Sequence, residues 1–164
     1  MTLNRRHFLS LGGAAALTAG LAPLLAARAA TPAATFPYVL TDAQWRERLT
    51  PVQYDVLRHE GTERPYSSPL NDEHRKGTFS CAGCQQKVFS SETKFDSGTG
   101  WPSFWQPLPK AVGETRDSSF GMVRTAVYCA NCGGHLGHVF DDGPRPTGLR
   151  YCMNGVAMTF APQA

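Results

Sequence analysis

At 164 residues and 41% hydrophobic content, the chain is long enough for one domain with a buried core. Its formal charge of +3 comes from 16 basic and 13 acidic residues, and Arg5, Arg6 and Arg28 all lie in the first thirty positions, where there is no acid. The remainder is formally neutral, so no basic nucleic-acid-binding surface follows from composition.

The first segment, "MTLNRRHFLSLGGAAALTAGLAPLLAARAA", joins a basic patch to an Ala/Leu/Gly-rich run that ends at Ala27-Arg28-Ala29, a small-residue cleavage pattern. With its "NRRHFL" motif it resembles a twin-arginine signal peptide over residues 1–29, which implies export, to the periplasm in a bacterium. The alternative is an uncleaved anchor, since about 20 apolar residues can span a bilayer. No cysteine lies near the end of the apolar run, which argues against a lipoprotein. Residues 30–40, rich in Pro, Ala and Thr, read as a linker before a domain at 41–164.

Two helix starts come next. Thr41 with Gln44, and Thr50 with Pro51 and Gln53, are capping-box arrangements, and the second helix is expected to run toward His59 and stop at Gly61. Beyond Gly61 the texture becomes β-like: "KGTFSC", "KVFS", "GMVRTAVYC", "LRYCM" and "VAMTF" are separated by Gly, Pro, Asn and Asp turns. The pattern predicts an α+β domain, helices first and then a mainly antiparallel β body.

Four of the five cysteines form two Cys-x-x-Cys knuckles, Cys81/Cys84 and Cys129/Cys132, the latter followed by Gly133-Gly134. Four thiolates at tetrahedral corners suit one structural zinc with a closed shell. Two disulfides are the competing reading for an exported chain. Folding in a reducing compartment before export, which the signal resemblance implies, favours the metal. That leaves Cys152.

Cys152 lies in "RYCMN". On a strand Arg150, Cys152 and Asn154 share a face, so a guanidinium, a thiol and an amide point the same way. His135 and His138, just past the second knuckle, could supply the favourable field that a cysteine thiolate needs. A cysteine between Tyr and Met can equally be a small buried hydrophobe.

The stretches "CAGC", "KFDSGTGWPSFWQP", "CANCGGHLGHVFDDGPRPTGLRYCMN" and "VAM" together resemble methionine sulfoxide reductase B, from about Thr41 to Phe160 and in family order. The resemblance implies two antiparallel β-sheets with helices packed outside and a zinc site away from the active site. It also implies thiol-dependent reduction of methionine R-sulfoxide, free or in proteins. By the same resemblance Cys152 is the nucleophile and passes through a sulfenic acid. His135 and His138 position and protonate the sulfoxide oxygen, Arg150 and Asn154 support them, and Trp101 holds the substrate methyl group. Thr99 stands where many relatives carry a resolving cysteine, so recycling falls to an external thiol, a thioredoxin-like protein or a glutathione-type thiol. Gly155 stands where relatives often have Ser. A zinc-ribbon-like binding module without catalysis is the reading from another class; it leaves "SGTGWPSFW" and Arg-x-Cys-x-Asn without a purpose.

Overall fold

The computed structural model describes residues 35–163, so the segment read as a signal peptide lies outside the described residues. Both helices form where their caps place them. Helix α1 (Asp42–Arg48) opens with Gln44 N–H donating to the Thr41 hydroxyl at 3.3 Å and Thr41 N–H to the Gln44 carboxamide at 2.9 Å. Helix α2 (Pro51–His59) repeats the arrangement with Thr50 and Gln53. Each cap satisfies amides that a helix start leaves unpaired, a contribution of about 1 kcal/mol. The left-handed residue that ends α2 is Glu60, not Gly61. Gly61 answers a different need: a Cβ there would collide with the Asp55 carboxylate.

The β body consists of two sheets, antiparallel throughout. The smaller has the order β2–β1–β9, from β1 (Gly77–Cys81), β2 (Lys87–Ser90) and β9 (Met158–Pro162). The larger is six-stranded, in the order β3–β4–β8–β7–β6–β5. It comprises β3 (Lys94–Phe95), β4 (Ser103–Phe104), β5 (Val112–Asp117), β6 (Arg124–Cys129), β7 (His135–Phe140) and β8 (Arg150–Met153). The expected architecture is therefore what the chain adopts. Four of its strands were not anticipated: β3 and β4 are only two residues long, β5, "VGETRD", is a charged edge strand, and β7, "HLGHVF", carries two histidines and a glycine in place of β-formers.

Aromatic side chains join the sheets. Phe104 of β4 stacks on Phe89 of β2 with centroids 4.3 Å apart and meets Phe79 of β1 edge-on at 5.0 Å. All three are completely buried, so each contributes about 1.5–3 kcal/mol of apolar transfer. Helix α2 presents Val56 and Leu57 to this core and packs on β7 and on the 3₁₀ turn Gly155–Ala157. Within the stretch read as a linker, Phe36 meets Tyr128 edge-on at 5.6 Å and Tyr38 N–H bonds Asn131 O at 2.9 Å, so residues 35–40 lie against the second knuckle. Among the described residues no helix is long and apolar enough to cross a membrane.

Candidate functional site

The two knuckles are equivalent turns. Gln85 N–H bonds Cys81 O at 2.8 Å and Gly133 N–H bonds Cys129 O at 2.9 Å, with Gln85 and Gly133 both left-handed at φ 61° and 69°. Only glycine fits the second turn, because a Cβ at Gly133 would run into the Phe36 ring. The turns bring all four sulfurs within 4.8 Å of one another. Cys81 and Cys132 are 3.8 Å apart and Cys84 and Cys129 are 3.6 Å apart. A tetrahedral shell with metal–sulfur bonds of about 2.3 Å has sulfur–sulfur edges of about 3.8 Å. Bonded sulfurs would be about 2.05 Å apart, and all five cysteines are free. The cluster can hold a metal ion, and its donor set is that of a closed structural site.

The second site is a product of register. Cys152 on β8 pairs directly with His138 on β7 and with Ser103 on β4. Directly opposed residues project to the same face, as do residues two apart on one strand. One face of the six-stranded sheet therefore carries Arg150 and Cys152 from β8, His138 and Phe140 from β7, Arg124 from β6 and Asp117 from β5. The alternate residues of β8, Tyr151 and Met153, turn into the core. Close approach of β7 to β8 requires Gly137, where a Cβ would clash with the Cys152 carbonyl oxygen.

Cys152, His138, Asn154 and Trp101 line one cavity of about 130 Å3, together with Thr62, Arg124, Gly137 and Phe140. Of the residues predicted for the site, these four are brought together. Arg150 acts from beside it, paired with Asp142 through two bonds of 2.8 Å and lying 4.5 Å over the Phe140 ring. Asp142 first, and the nearby Cys152 sulfur as well, raise the pKa of the Arg150 guanidinium. His135 stands behind His138, rings edge-to-face at 5.2 Å, and lines an adjoining cavity with Asp117, Arg124 and His138. Its Nε2 is buried without a partner, and burial, then the proximity of His138, depresses its pKa to about 4. His135 is therefore neutral near pH 7.

His138 is oriented by a group the sequence reading missed. Asp117 accepts from His138 Nε2 at 2.8 Å, from Arg124 at 2.6 Å and from Ser119 N–H at 2.8 Å. Ser119 foremost, with His138 and Arg124, holds the Asp117 carboxyl well below the usual carboxylate range. With Nε2 engaged, Nδ1 is the imidazole nitrogen left for chemistry. Asn154 is buried and its carboxamide is committed to the scaffold, donating to Leu136 O at 3.1 Å and accepting from Glu63 N–H at 3.0 Å. Trp101 donates its indole N–H to Glu63 O at 3.2 Å. Thr99 Oγ1 lies 3.8 Å from the Cys152 sulfur. Arg124, Phe140 and Asp117 were legible only through cross-strand register, and Thr62 only through the packing of the loop after α2.

A family model described as the SelR domain matches residues 49–162, which takes in both knuckles and the whole of this cavity. The chain belongs to the SelR domain family. Its SelR-type sequence is 60% identical over 123 residues to a protein of Agrobacterium fabrum named peptide methionine sulfoxide reductase MsrB, covering 74% of this chain and 91% of that one. Proteins of the same name from Bradyrhizobium diazoefficiens and Thiobacillus denitrificans are 56% and 54% identical, covering 76% and 75% of this chain and 91% and 94% of their own lengths.

Proposed function

We propose that this chain is a methionine sulfoxide reductase acting on the R-epimer, free or in polypeptides, with Cys152 as nucleophile and an external thiol as reductant. The observation that carries the proposal is the cross-strand pair of Cys152 and His138, opening on a cavity of about 130 Å3 walled by Trp101 and Phe140. A cavity of that size suits a methyl sulfoxide and little more. The aromatic wall takes the methyl group, and which epimer turns its sulfur to Cys152 follows from where that wall stands.

A sulfoxide oxygen is a poor leaving group until it carries a proton, so the nucleophile and a proton donor must meet at one place. His138, held through Nε2–H by Asp117, presents Nδ1, which takes the Cys152 thiol proton and delivers it to that oxygen. His135, neutral and buried behind it, keeps a second positive charge away. The Cys152 sulfur bonds to the substrate sulfur, and the protonated oxygen then ends on the Cys152 sulfur as the substrate's sulfur–oxygen bond and the transient sulfur–sulfur bond both break. The substrate gains two electrons and leaves as a thioether; Cys152 loses two and becomes a sulfenic acid. One external thiol then displaces water to form a mixed disulfide, and a second releases the Cys152 thiol as the external disulfide. The four-cysteine cluster, with no place in this cycle, holds zinc as a structural ion. The "NRRHFL" segment makes the chain an exported, periplasmic protein with a cleaved signal.

The deciding assay is turnover of the two separated epimers of N-acetyl-methionine sulfoxide with dithiothreitol, wild type beside Cys152→Ser. Reduction of the R-epimer alone, abolished in the variant, is expected. Turnover that survives the substitution refutes the role of Cys152, and turnover of the S-epimer refutes the geometry of the wall.

A further inference from the structure

Glu63 belongs to no motif picked out in the sequence and does not line the cavity, yet it touches three elements of the site. Its carboxylate accepts two backbone amides of the 3₁₀ turn that follows the Cys152 strand, from Gly155 at 2.5 Å and from Val156 at 3.0 Å. Its own N–H donates to Asn154 Oδ1 at 3.0 Å, and its carbonyl accepts the Trp101 indole N–H at 3.2 Å. These bonds span sequence separations of 38 to 93 residues. The loop after α2 is thereby tied to the strand end and to the loop bearing Trp101.

We propose that Glu63 is a positioning residue: its carboxylate, clamped on the Gly155–Val156 amides, fixes the peptide unit that holds the Trp101 indole against the Cys152 strand. The inference rests on the reductase reading for its consequence and on geometry alone for its existence. The two amides at the start of the turn need acceptors, and a carboxylate with one oxygen for each meets that need with charge-assisted bonds. Burial raises the carboxyl pKa while the two amides pull it back, which is the balance expected of a carboxylate desolvated for structural use. Glutamine cannot replace it, because a carboxamide offers one acceptor oxygen and would turn an NH2 group toward the other amide. The two anchored groups lie on opposite sides of Glu63 in the chain of contacts. Loosening the clamp should therefore move the methyl-binding wall while leaving the Cys152–His138 pair, which is set by sheet register, in place.

The test uses the full mature chain with its metal and Glu63→Gln, read in two independent ways. Kinetics on the R-sulfoxide should show KM raised about tenfold with kcat within about threefold, and the rate of Cys152 alkylation by iodoacetamide unchanged. In ¹⁵N spectra the Trp101 indole resonance, assigned with Trp101→Phe, should shift and exchange its proton faster. A merely structural residue would lower the folded fraction without splitting KM from kcat or singling out the Trp101 indole. Should the Gln variant fail to fold, Glu63→Asp, which keeps the charge on a shorter arm, carries the same readouts. Kinetic constants within about twofold of wild type, together with an unmoved indole signal, overturn the proposal. A wild type inactive on every methyl sulfoxide would sink the reductase reading and leave the indole signal to decide on Glu63.

Discussion

Thr99→Cys tests the proposed recycling route most sharply, because the structure sets both the product and its size. Thr99 Oγ1 stands 3.8 Å from the Cys152 sulfur, so a sulfur at that position needs to approach by less than about 2 Å to reach bonding distance. The two positions are 53 residues apart, and closing a loop of that length removes chain entropy worth about 4 kcal/mol at 25 °C. The substitution also deletes the Thr99 hydroxyl's bond with Ser97, at 2.8 Å, a loss of about 1 kcal/mol. Urea unfolding should therefore find the oxidised variant about 4 kcal/mol more stable than its own reduced form, and about 3 kcal/mol more stable than wild type.

The assay is one equivalent of R-sulfoxide without reductant, followed by thiol counting, dimedone labelling and a non-reducing digest. Wild type should be trapped as the Cys152 sulfenic acid and take up dimedone. The variant should lose two thiols, refuse dimedone and yield a peptide pair in which the thiol introduced at position 99 is crosslinked to Cys152. Its preferred reductant should change from a monothiol toward a dithiol protein. The reasoning is refuted if the variant still accumulates dimedone-reactive Cys152, or if wild type crosslinks Cys152 to a knuckle cysteine.

Three further outcomes are expected. Purified mature protein should carry about one zinc per chain, and Cys81→Ser should be unfolded at room temperature because structural zinc binding is folding free energy; metal analysis that finds none, with two disulfides by mass spectrometry, would contradict this. Asp117→Asn should lower kcat roughly tenfold or more and reshape the pH–rate profile while KM hardly changes, since it loosens the imidazole without touching the methyl wall; an unaltered profile would remove Asp117 from the mechanism. His135 should titrate near pH 4 in an NMR experiment. Its folded pKa lies below the usual value of about 6.5, so between those limits the unfolded chain binds a proton that the folded one does not. Stability should therefore fall as pH drops through that window, and a midpoint near the usual value of about 6.5 would show His135 to be solvated.

The sequence announced the two helices because a capping box is a local device: Thr41 and Gln44 satisfy each other's amides whatever the rest of the chain does. The knuckles were equally legible, since each is a turn of four residues whose spacing suits one metal. Cys152, His138, Asn154 and Trp101 were also named from sequence, and they meet in one cavity. What escaped was everything set by strand pairing. Asp117 and Arg124 lie on β5 and β6, opposite one another, and both are brought beside His138 by a ladder in which β7 is the next member after β6. With β7 unread as a strand, because its histidines and Gly137 lack β-propensity, there was no register on which to place them. Asn154 shows the converse. Strand periodicity put it on the face of Cys152, but it lies one residue past the end of β8, where its amide braces Leu136 and Glu63.

The same register ties a metal ion held by the four cysteines to the cavity at Cys152. Strand β6 ends at Cys129 and β7 begins at His135, so the second knuckle is the turn of the hairpin that carries His138. Cys129 N–H bonds Gly134 O at 2.9 Å across that turn, and the pairing of β6 with β7 is irregular between Val127 and Tyr128, where the strand adjusts to it. A slip of one residue in a sheet turns every side chain to the opposite face. Were the knuckle to relax and β7 to slide by one position, Gly137 or Val139 would replace His138 opposite Cys152, and the imidazole would point into the core. The knuckle thus sits at the turn that sets which residue of β7 pairs with Cys152. Loss of metal should abolish turnover by releasing this hairpin together with the first knuckle at the end of β1.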